Sequence, residues 1–200
     1  MLHRTATPDD VDAVTRTIAL AFADDPIWAP TLARPDGGTD HLEPFWRLWV
    51  EGALRYSTVY LADGADGIAA AAAVWLPPEG TEMSDEQMVA LSDLMIEALP
   101  PESIAAMEEM GQRFDAHRPT EPHMYLNFLA THPDHRGHGL AQRVMAENLA
   151  DYDAQGLPAY LESSNPLNVP RYERAGFRVV GGFPAVLGDA YVTTMWRDVP

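Results

Sequence analysis

Arg136, Gly137, His138 and Gly139 stand between an apolar run that ends at Thr131 and a helical pattern that starts at Leu140. Glycines at a helix mouth leave the first-turn N–H groups uncovered, and those amides, aided by the helix dipole, attract an anion. Each amide bonded to a charged oxygen contributes roughly 1.5 to 3 kcal/mol net, so a few of them could hold a diphosphate without a lysine. The spacing Arg-x-x-Gly-x-Ala, from Arg136 through Gly139 to Ala141, differs from both the Walker loop and the G-x-G-x-x-G of dinucleotide folds. Alone, such a glycine pair reads first as an ordinary turn. Further along, Glu162 closes a second apolar run, and Asn168, Tyr172 and Gly176-Phe177 follow as Asn-x-x-x-Tyr-x-x-x-Gly-Phe. A carboxylate can take a proton from an ammonium, and a phenol, protonated at neutral pH, can give one to a leaving group. His132, His135 and His138 recur at every third residue, but only Asp134 converges with them and the same loop is the anion site, so no metal is expected.

Composition narrows the chemistry. The chain has no cysteine, which removes disulfides, thiolate nucleophiles and thiolate metal sites, so any thiol in the reaction must come from a cofactor. All 13 basic residues are arginine, which excludes a catalytic lysine. A formal charge of −17 argues against nucleic acid and anionic membranes as partners and favours a cationic amine. Five arginines (Arg136, Arg143, Arg171, Arg174, Arg178) nonetheless gather in the stretch that carries both motifs, where an anion would have to bind. The first residues lack a signal-like apolar core, and no run approaches the ~18 apolar residues of a membrane span, so a cytoplasmic protein is expected. Two hundred residues suit a single domain, 1–200, with one sizeable core.

These groups need elements to position them. Met124 to Thr131, unbroken by Gly or Pro, predicts a central strand covered on both faces, and Leu140, Val144 and Leu149, with Ala141, Met145 and Tyr152 beside them, predict the helix behind it. Ahead of them come a short strand from His3 to Thr5 and a helix capped by Thr7 with Pro8 in its first turn, carrying Val11, Val14, Ile18 and Phe22. A Pro- and Gly-rich loop is expected from Ile27 to Asp40, then a short aromatic helix through Leu42, Phe45, Trp46 and Trp49. Ser57 to Ala62 and Ile68 to Leu76 form a hairpin around Asp63-Gly64-Ala65-Asp66-Gly67. Ser84 with Gln87 makes a capping box for a helix through Met88, Leu91, Met95 and Ala98. A second helix from Ser103 to His117 carries Ile104, Met107, Gly111 and Phe114. Ala159 to Ser163 is a second buried strand, Val169 to Ala175 a short helix, and Arg178 to Gly181 and Tyr191 to Arg197 the last strands.

The loop and the late Tyr-x-x-x-Gly-Phe together resemble the GNAT superfamily of acetyl-CoA-dependent N-acetyltransferases. The segments ALAFADDP, HRPTEPHMYLNFLATHPDHRGHGLA and AYLESSNPLNVPRYERAGF are similar to the puromycin N-acetyltransferase branch. The resemblance implies an α/β (α+β) fold: a central mixed, mostly antiparallel twisted sheet of about six to seven strands flanked by helices, with an inserted helical pair. It implies acetyl-CoA as co-substrate and no metal. It also implies that Leu129, Ala130 and Thr131 offer backbone groups to the pantetheine arm. The amides of Gly137, His138, Gly139, Leu140, Ala141 and Gln142 would take the pyrophosphate, with Arg136 buttressing the loop. Asn168 would bond the pantetheine arm or orient its helix start, and Tyr172 would protonate the departing thiolate. Glu162 is the first choice for general base or amine anchor, ahead of Glu121 and His123. The expected reaction is direct acetyl transfer to a primary amine of a small molecule, such as an aminonucleoside or a metabolite. A protein or peptide acetyltransferase and a catalytically silent CoA-binding regulatory domain stay open, as does a homodimer.

Overall fold

A computed structural model describes residues 3–64 and 67–200, so Ala65 and Asp66 of the hairpin turn lie outside the described residues. Seven strands form one sheet in the order β1-β2-β3-β4-β5-β7-β6. They are β1 (Arg4–Thr5), β2 (Val59–Asp63), β3 (Ala69–Leu76), β4 (Met124–Thr131), β5 (Ala159–Ser163), β6 (Arg178–Pro184) and β7 (Tyr191–Arg197). Every neighbouring pair is antiparallel except β4 with β5, which run parallel. The fold is therefore the mixed, mostly antiparallel sheet flanked by helices that the resemblance implied.

Two apolar layers sandwich the sheet. On one face α1 (Val11–Phe22) and α3 (Leu42–Leu54) bury Val14, Ile18, Phe45, Trp46 and Val50; on the other, α6 (Leu140–Ala154) buries Val144, Met145 and Leu149. Alternation along β3 serves both: Ala72, Val74 and Leu76 face the first layer, Ala71, Ala73 and Trp75 the second. The five alanines Ala69 to Ala73 are all buried and so small that helices can approach from both sides. One such approach is fixed by Thr17, whose hydroxyl donates to the Ala69 carbonyl at 2.6 Å. Trp75, fully buried, donates its indole N–H to Asn148 Oδ1 at 3.1 Å, so the second layer carries a satisfied polar anchor.

Several expected elements shift. Between Ile27 and Asp40 the chain is not all loop, because α2 (Trp28–Thr31) forms there, its first amides held by Asp25. Thr7 is the N-cap, with Pro8 next to it, of a 3-10 turn at Pro8–Asp10 that leads into α1, and Asp10 reaches back to accept from the Thr7 N–H and hydroxyl, both at 2.8 Å. The box at Ser84 forms as read, with Gln87 N–H to Ser84 Oγ at 3.3 Å and Ser84 N–H to Gln87 Oε1 at 3.0 Å, and it opens α4 (Asp85–Ala98). Only Leu91 of α4 is fully buried, and Met88 is 54% exposed, so this helix is a cover and not a core element. The next, α5 (Pro101–His117), begins at Pro101 and buries Ser103, Ala106 and Met110; of the expected stripe, Ile104 and Met107 pack against the first apolar layer and Phe114 against Phe183, while Gly111 is exposed. β6 runs on to Pro184, past the Gly181 end expected from apolar content, because pairing with β7 carries it through Gly182 and Phe183.

The parallel pair is short. Only Met124, Tyr125 and Leu126 pair with Ala159, Tyr160 and Leu161, after which the two strands separate. At that point β4 also slips against β3: Val74 opposes Phe128 but Trp75 opposes Leu126, leaving Asn127 as an extra residue. The bulge inverts the strand's phase, so Tyr125 and Phe128, three residues apart, both enter the first apolar layer. The sheet is thus forked at its centre.

Candidate active site

The fork opens into a cleft of about 810 Å³. Its lower wall is the glycine mouth. Gly137 and Gly139 hold positive φ of 85° and 66°, and Gly139 is the left-handed N-cap of α6. A Cβ built on either would meet no protein atom within 4 Å, so the space before the amides is open. Leu129, Thr131, Arg136, Gly137, Gly139, Ala141 and Gln142 line the cleft there, along with Asn168. Ala130 turns into the first apolar layer, and neither His138 nor Leu140 lines the cleft, so these three positions do not present their side chains to it. The Asn168 side-chain Oδ1 accepts from Arg171 Nη1 at 2.7 Å, which ties it to α7 (Val169–Arg174) and favours the helix-orienting role of the two expected for it. His132 is buried beside the His135 ring at 5.9 Å, and among the described residues no three His, Asp or Glu side chains converge as metal ligands.

Glu162 stands on β5 just past the last residue paired with β4. Both of its carboxylate oxygens are inaccessible and without a partner at hydrogen-bonding geometry. Burial pushes this carboxyl up to about 7, while the Tyr125 hydroxyl, the Arg118 guanidinium and the Tyr160 hydroxyl pull the other way. Arg118 is fixed by an ion pair to Glu82 at 2.6 Å and by the Tyr125 ring, 4.4 Å from its guanidinium carbon. A carboxyl poised near neutrality in a cleft can accept a proton from an amine. The alternatives fall elsewhere: Glu121 and His123 do not line the cleft, and the His123 Nδ1 donates to the Glu121 carbonyl at 2.6 Å.

Tyr172 comes from the other side of the fork, on α7. The residue is buried, packs edge-on against Phe177 at 6.2 Å, and lines the cleft. Burial pushes its phenol up to about 12, opposed by Arg171 and reinforced by Asp25. It therefore stays protonated at neutral pH and can donate.

Three further lining groups, Asp25, Arg118 and Asn127, escaped the sequence reading as site residues, while Trp49 lies in the aromatic region that the resemblance implied would line the acceptor pocket. Asp25 is buried, accepts from the Ile27 and Trp28 amides at 2.9 and 3.1 Å, and takes the Ser164 hydroxyl at 2.5 Å, so it ties the α1–α2 turn to the end of β5. Its signal is an Asp just ahead of a proline and a short apolar run, an N-cap pattern that can equally be read as a helix end. Trp49 Nε1, Arg118 Nε and Asn127 Nδ2 are buried and unpartnered. Around them Phe22, Trp28, Phe114 and Phe128 make an aromatic wall, closed on the outside by α4 and α5. Asp24 and Asp115 stand exposed among the lining residues.

Residues 32–177 match the model of the Acetyltransferase (GNAT) family. The chain belongs to that family. Solved structures agree with the fold. One described as histone acetyltransferase HPA2 and related acetyltransferase from Corynebacterium glutamicum superposes with a TM-score of 0.73 at 22% identity, covering 99% of this chain and 96% of that one. Arylalkylamine N-acetyltransferase 2 from Aedes aegypti gives 0.71 at 15% identity, with 99% and 98% covered. The polyamine N-acetyltransferase of Drosophila melanogaster, an enzyme described as catalysing the formation of N-acetylagmatine, gives 0.60 at 15% identity, with 98% of each chain covered. This GNAT protein is thus an acetyltransferase, and acetyl-CoA is the acyl donor of its family. Its glycine mouth fits that donor, since uncovered amides and open space stand at the N-terminus of a 15-residue helix.

Proposed function

We propose that this GNAT protein acts as a single domain that transfers an acetyl group from acetyl-CoA to a primary amine of a small molecule, by direct attack in a ternary complex. One observation carries the reading: the glycine mouth, the raised carboxyl of Glu162 and the protonated phenol of Tyr172 all line one cleft. Bound acetyl-CoA supplies an activated acyl carbon and a thiolate leaving group. Gly137, Gly139, Ala141 and Gln142 hold its pyrophosphate at the start of α6, and the β4 edge from Leu129 to Thr131, free of β5, holds the pantetheine arm. Glu162 accepts the proton that the ammonium must lose before its nitrogen can attack. As nitrogen bonds to the acyl carbon and the carbon–sulfur bond breaks, Tyr172 donates to the sulfur. Bond formation leaves the nitrogen with one proton too many, and that second proton passes through solvent to restore the Tyr172 phenol, while the proton on Glu162 is released to solvent, so both groups reset and one proton is released per amide formed.

An acceptor wall made of Phe22, Trp28, Trp49 and Phe114, with acidic groups at its edge, suits a cationic amine on an apolar or aromatic body. Neighbours named for arylalkylamines and polyamines are consistent with that acceptor class. The test is CoA release across arylalkylamines, polyamines, the aminonucleoside puromycin, and peptides with free N-termini. Saturable turnover of small amines, at a kcat/KM at least tenfold above any peptide, is expected. Faster peptide turnover would make it a protein acetyltransferase, and tight acetyl-CoA binding with no turnover of any amine would make it a regulatory domain.

A further inference from the structure

Arg118, the residue that follows α5, is anchored against the two strands of the parallel pair. Its guanidinium lies over the Tyr125 ring of β4, 4.4 Å from the ring centre, and the carbonyl of the preceding residue, His117, accepts from the Tyr160 hydroxyl of β5 at 3.2 Å. Tyr125 and Tyr160 are themselves paired across the strands, with ring centres 5.9 Å apart. Glu162 is two residues beyond Tyr160 and so on the same face of β5, and Arg118, Tyr125 and Glu162 all line the cleft. The guanidinium is thus set in the surroundings of Glu162 without being bonded to it. Its ion pair, at 2.6 Å, is with Glu82, and neither Glu162 oxygen meets a partner at hydrogen-bonding geometry. Glu82 is not a loose surface acid. The Thr81 N–H donates to the Tyr56 hydroxyl at 3.0 Å, the Thr81 carbonyl accepts from Arg55 Nη2 at 2.7 Å, and Met83 is buried, so the segment ahead of α4 is pinned to the end of α3. Gly52 of α3 admits it there, because a Cβ at that position would collide with the Glu82 carbonyl oxygen.

In the reaction proposed above, on which this step rests, Glu162 has to be ionised at neutral pH and still basic enough to take a proton from an ammonium. Burial alone favours the neutral acid, which cannot act as a base. A guanidinium bonded directly to the carboxylate has the opposite fault: it keeps the group ionised but makes it a weak base. The observed arrangement lies between the two. Arg118 acts on the carboxylate from a distance, while Glu82 takes its direct contact and opposes part of its charge. The other groups nearby carry no charge at pH 7. Tyr125 and Tyr160 are phenols that burial keeps protonated, His123, packed on the Tyr160 ring at 5.4 Å, is held neutral by burial, and Thr194, opposite Glu162 on β7, does not titrate. Among the described residues, Arg118 and Glu82 are therefore the chief charges acting on Glu162.

We infer that the Glu82–Arg118 ion pair is a positioning pair for the proton acceptor: Arg118 favours the carboxylate of Glu162, and Glu82, by holding the guanidinium, prevents a direct bridge that would leave Glu162 too weak a base. Neither residue touches the reacting atoms in this role. The two act through Glu162, and they act on it in opposite directions.

That opposition is what a purely structural bridge would not show. Activity needs the carboxylate, so kcat/KM rises with pH along an acid limb that Glu162 sets. Arg118→Met keeps a long side chain over Tyr125 and removes the positive charge, and the limb should move to higher pH by about half a pH unit or more. Glu82→Gln keeps the shape and removes the negative charge, and the limb should move to lower pH by about as much. Arg118→Lys, which retains the charge, should leave the limb near its wild-type position. Movement in the same direction in Arg118→Met and Glu82→Gln, or no movement in either, would overturn the assignment. Should Arg118→Met fail to fold, a limb left unmoved or raised by the isosteric Glu82→Gln would overturn it alone. The carboxyl resonance of Glu162 in protein labelled with carbon-13 glutamate, assigned by its loss in Glu162→Gln, reads the same opposed shifts without turnover. Failure of the wider proposal looks different: a protein that acetylates no amine, or whose Glu162→Gln variant keeps the acid limb, still shows the opposed shifts of that resonance if the pair acts on this carboxyl.

Discussion

The two halves of the cleft are built from different material. The α6 side is made of backbone: two glycines at positive φ, a strand edge left free by the fork, and a helix start. The acceptor side is made of side chains drawn from α1, α2, α3, α5 and β5, among them Phe22, Trp28, Trp49, Phe114 and Glu162. A backbone site needs only a local order of glycines and apolar residues, so one acyl donor can be held by many sequences. A side-chain site changes with each substitution, which suits it to choosing the acceptor. Breaking the first half should therefore cost binding, and breaking the second should cost turnover.

The sharpest break is at Glu162. Glu162→Gln should lower kcat/KM by about 10² to 10³-fold in the window above pH 7 and below the amine's own pKa, within the usual range for a lost general base. Below about pH 7 the wild-type carboxyl is itself protonated, so wild-type activity falls there and the deficit narrows. A variant that keeps the acid limb of the pH profile would show that another group sets it. Stability moves the other way. The folded state raises this carboxyl, so its neutral form is favoured; the cost is absent below about pH 4.5, grows as pH rises, and is complete above about pH 7. At pH 8 the glutamine variant should be more stable by roughly 1 to 3 kcal/mol and at pH 4 no more stable than wild type, by urea titration. Equal stability at both pH values would mean that burial does not strain the carboxylate.

Tyr172→Phe keeps the ring against Phe177 and removes only the hydroxyl. A fall in kcat of about 10², with acetyl-CoA affinity within a few-fold, is the signature of a lost acid. Normal turnover would mean that the thiolate leaves with the amine's proton. The phenol's upward push makes this a demanding test, since a group near 12 donates to sulfur only as charge develops there.

On the backbone side, Gly139→Val should weaken acetyl-CoA by at least about tenfold by calorimetry, while His135→Ala changes it little. No protein atom waits for the new side chain. The loss would come from obstructed amides and from forcing valine to a φ of 66°. Equal losses in the two variants would move the anion site away from the helix mouth.

What could be read from residue order follows the same division. β4, β5 and β7 were bounded to the residue because each is an apolar or β-prone run between breakers, and the glycine mouth was legible because its spacing is local. Glu162 and Tyr172 could be named as candidates from their places at a strand end and within a motif. Asn127 was passed over inside a strand otherwise rich in apolar side chains, although Asn is depleted in strands and marks the bulge that opens the fork. Arg118 meets the site only through contacts between segments far apart in the chain, and no local pattern announces those. The helix at Trp28–Thr31 was hidden by Pro26 and Pro30, since a four-residue helix held by Asp25 leaves no periodic signal.

The smallest effect tests the acidic rim. Asp24 follows α1 and Asp115 lies on α5, both exposed among the residues that line the cleft. The chain's formal charge of −17 sets a field that draws a cation in from any direction, and only charges near the cleft can focus it there. Exposed charges interact weakly and are screened over about 10 Å at 0.1 M salt, so Asp24→Asn with Asp115→Asn should lower kcat/KM for a cationic amine by no more than about fivefold at low salt. kcat should not change, because neither residue is placed at the reacting atoms. Raising salt should erase the difference between the double variant and wild type, and a neutral competitive inhibitor should bind both equally. A deficit that persists at 1 M salt would mean that one of these carboxylates touches the acceptor directly, and the boundary between steering and recognition would have to move outward from Glu162 to the rim.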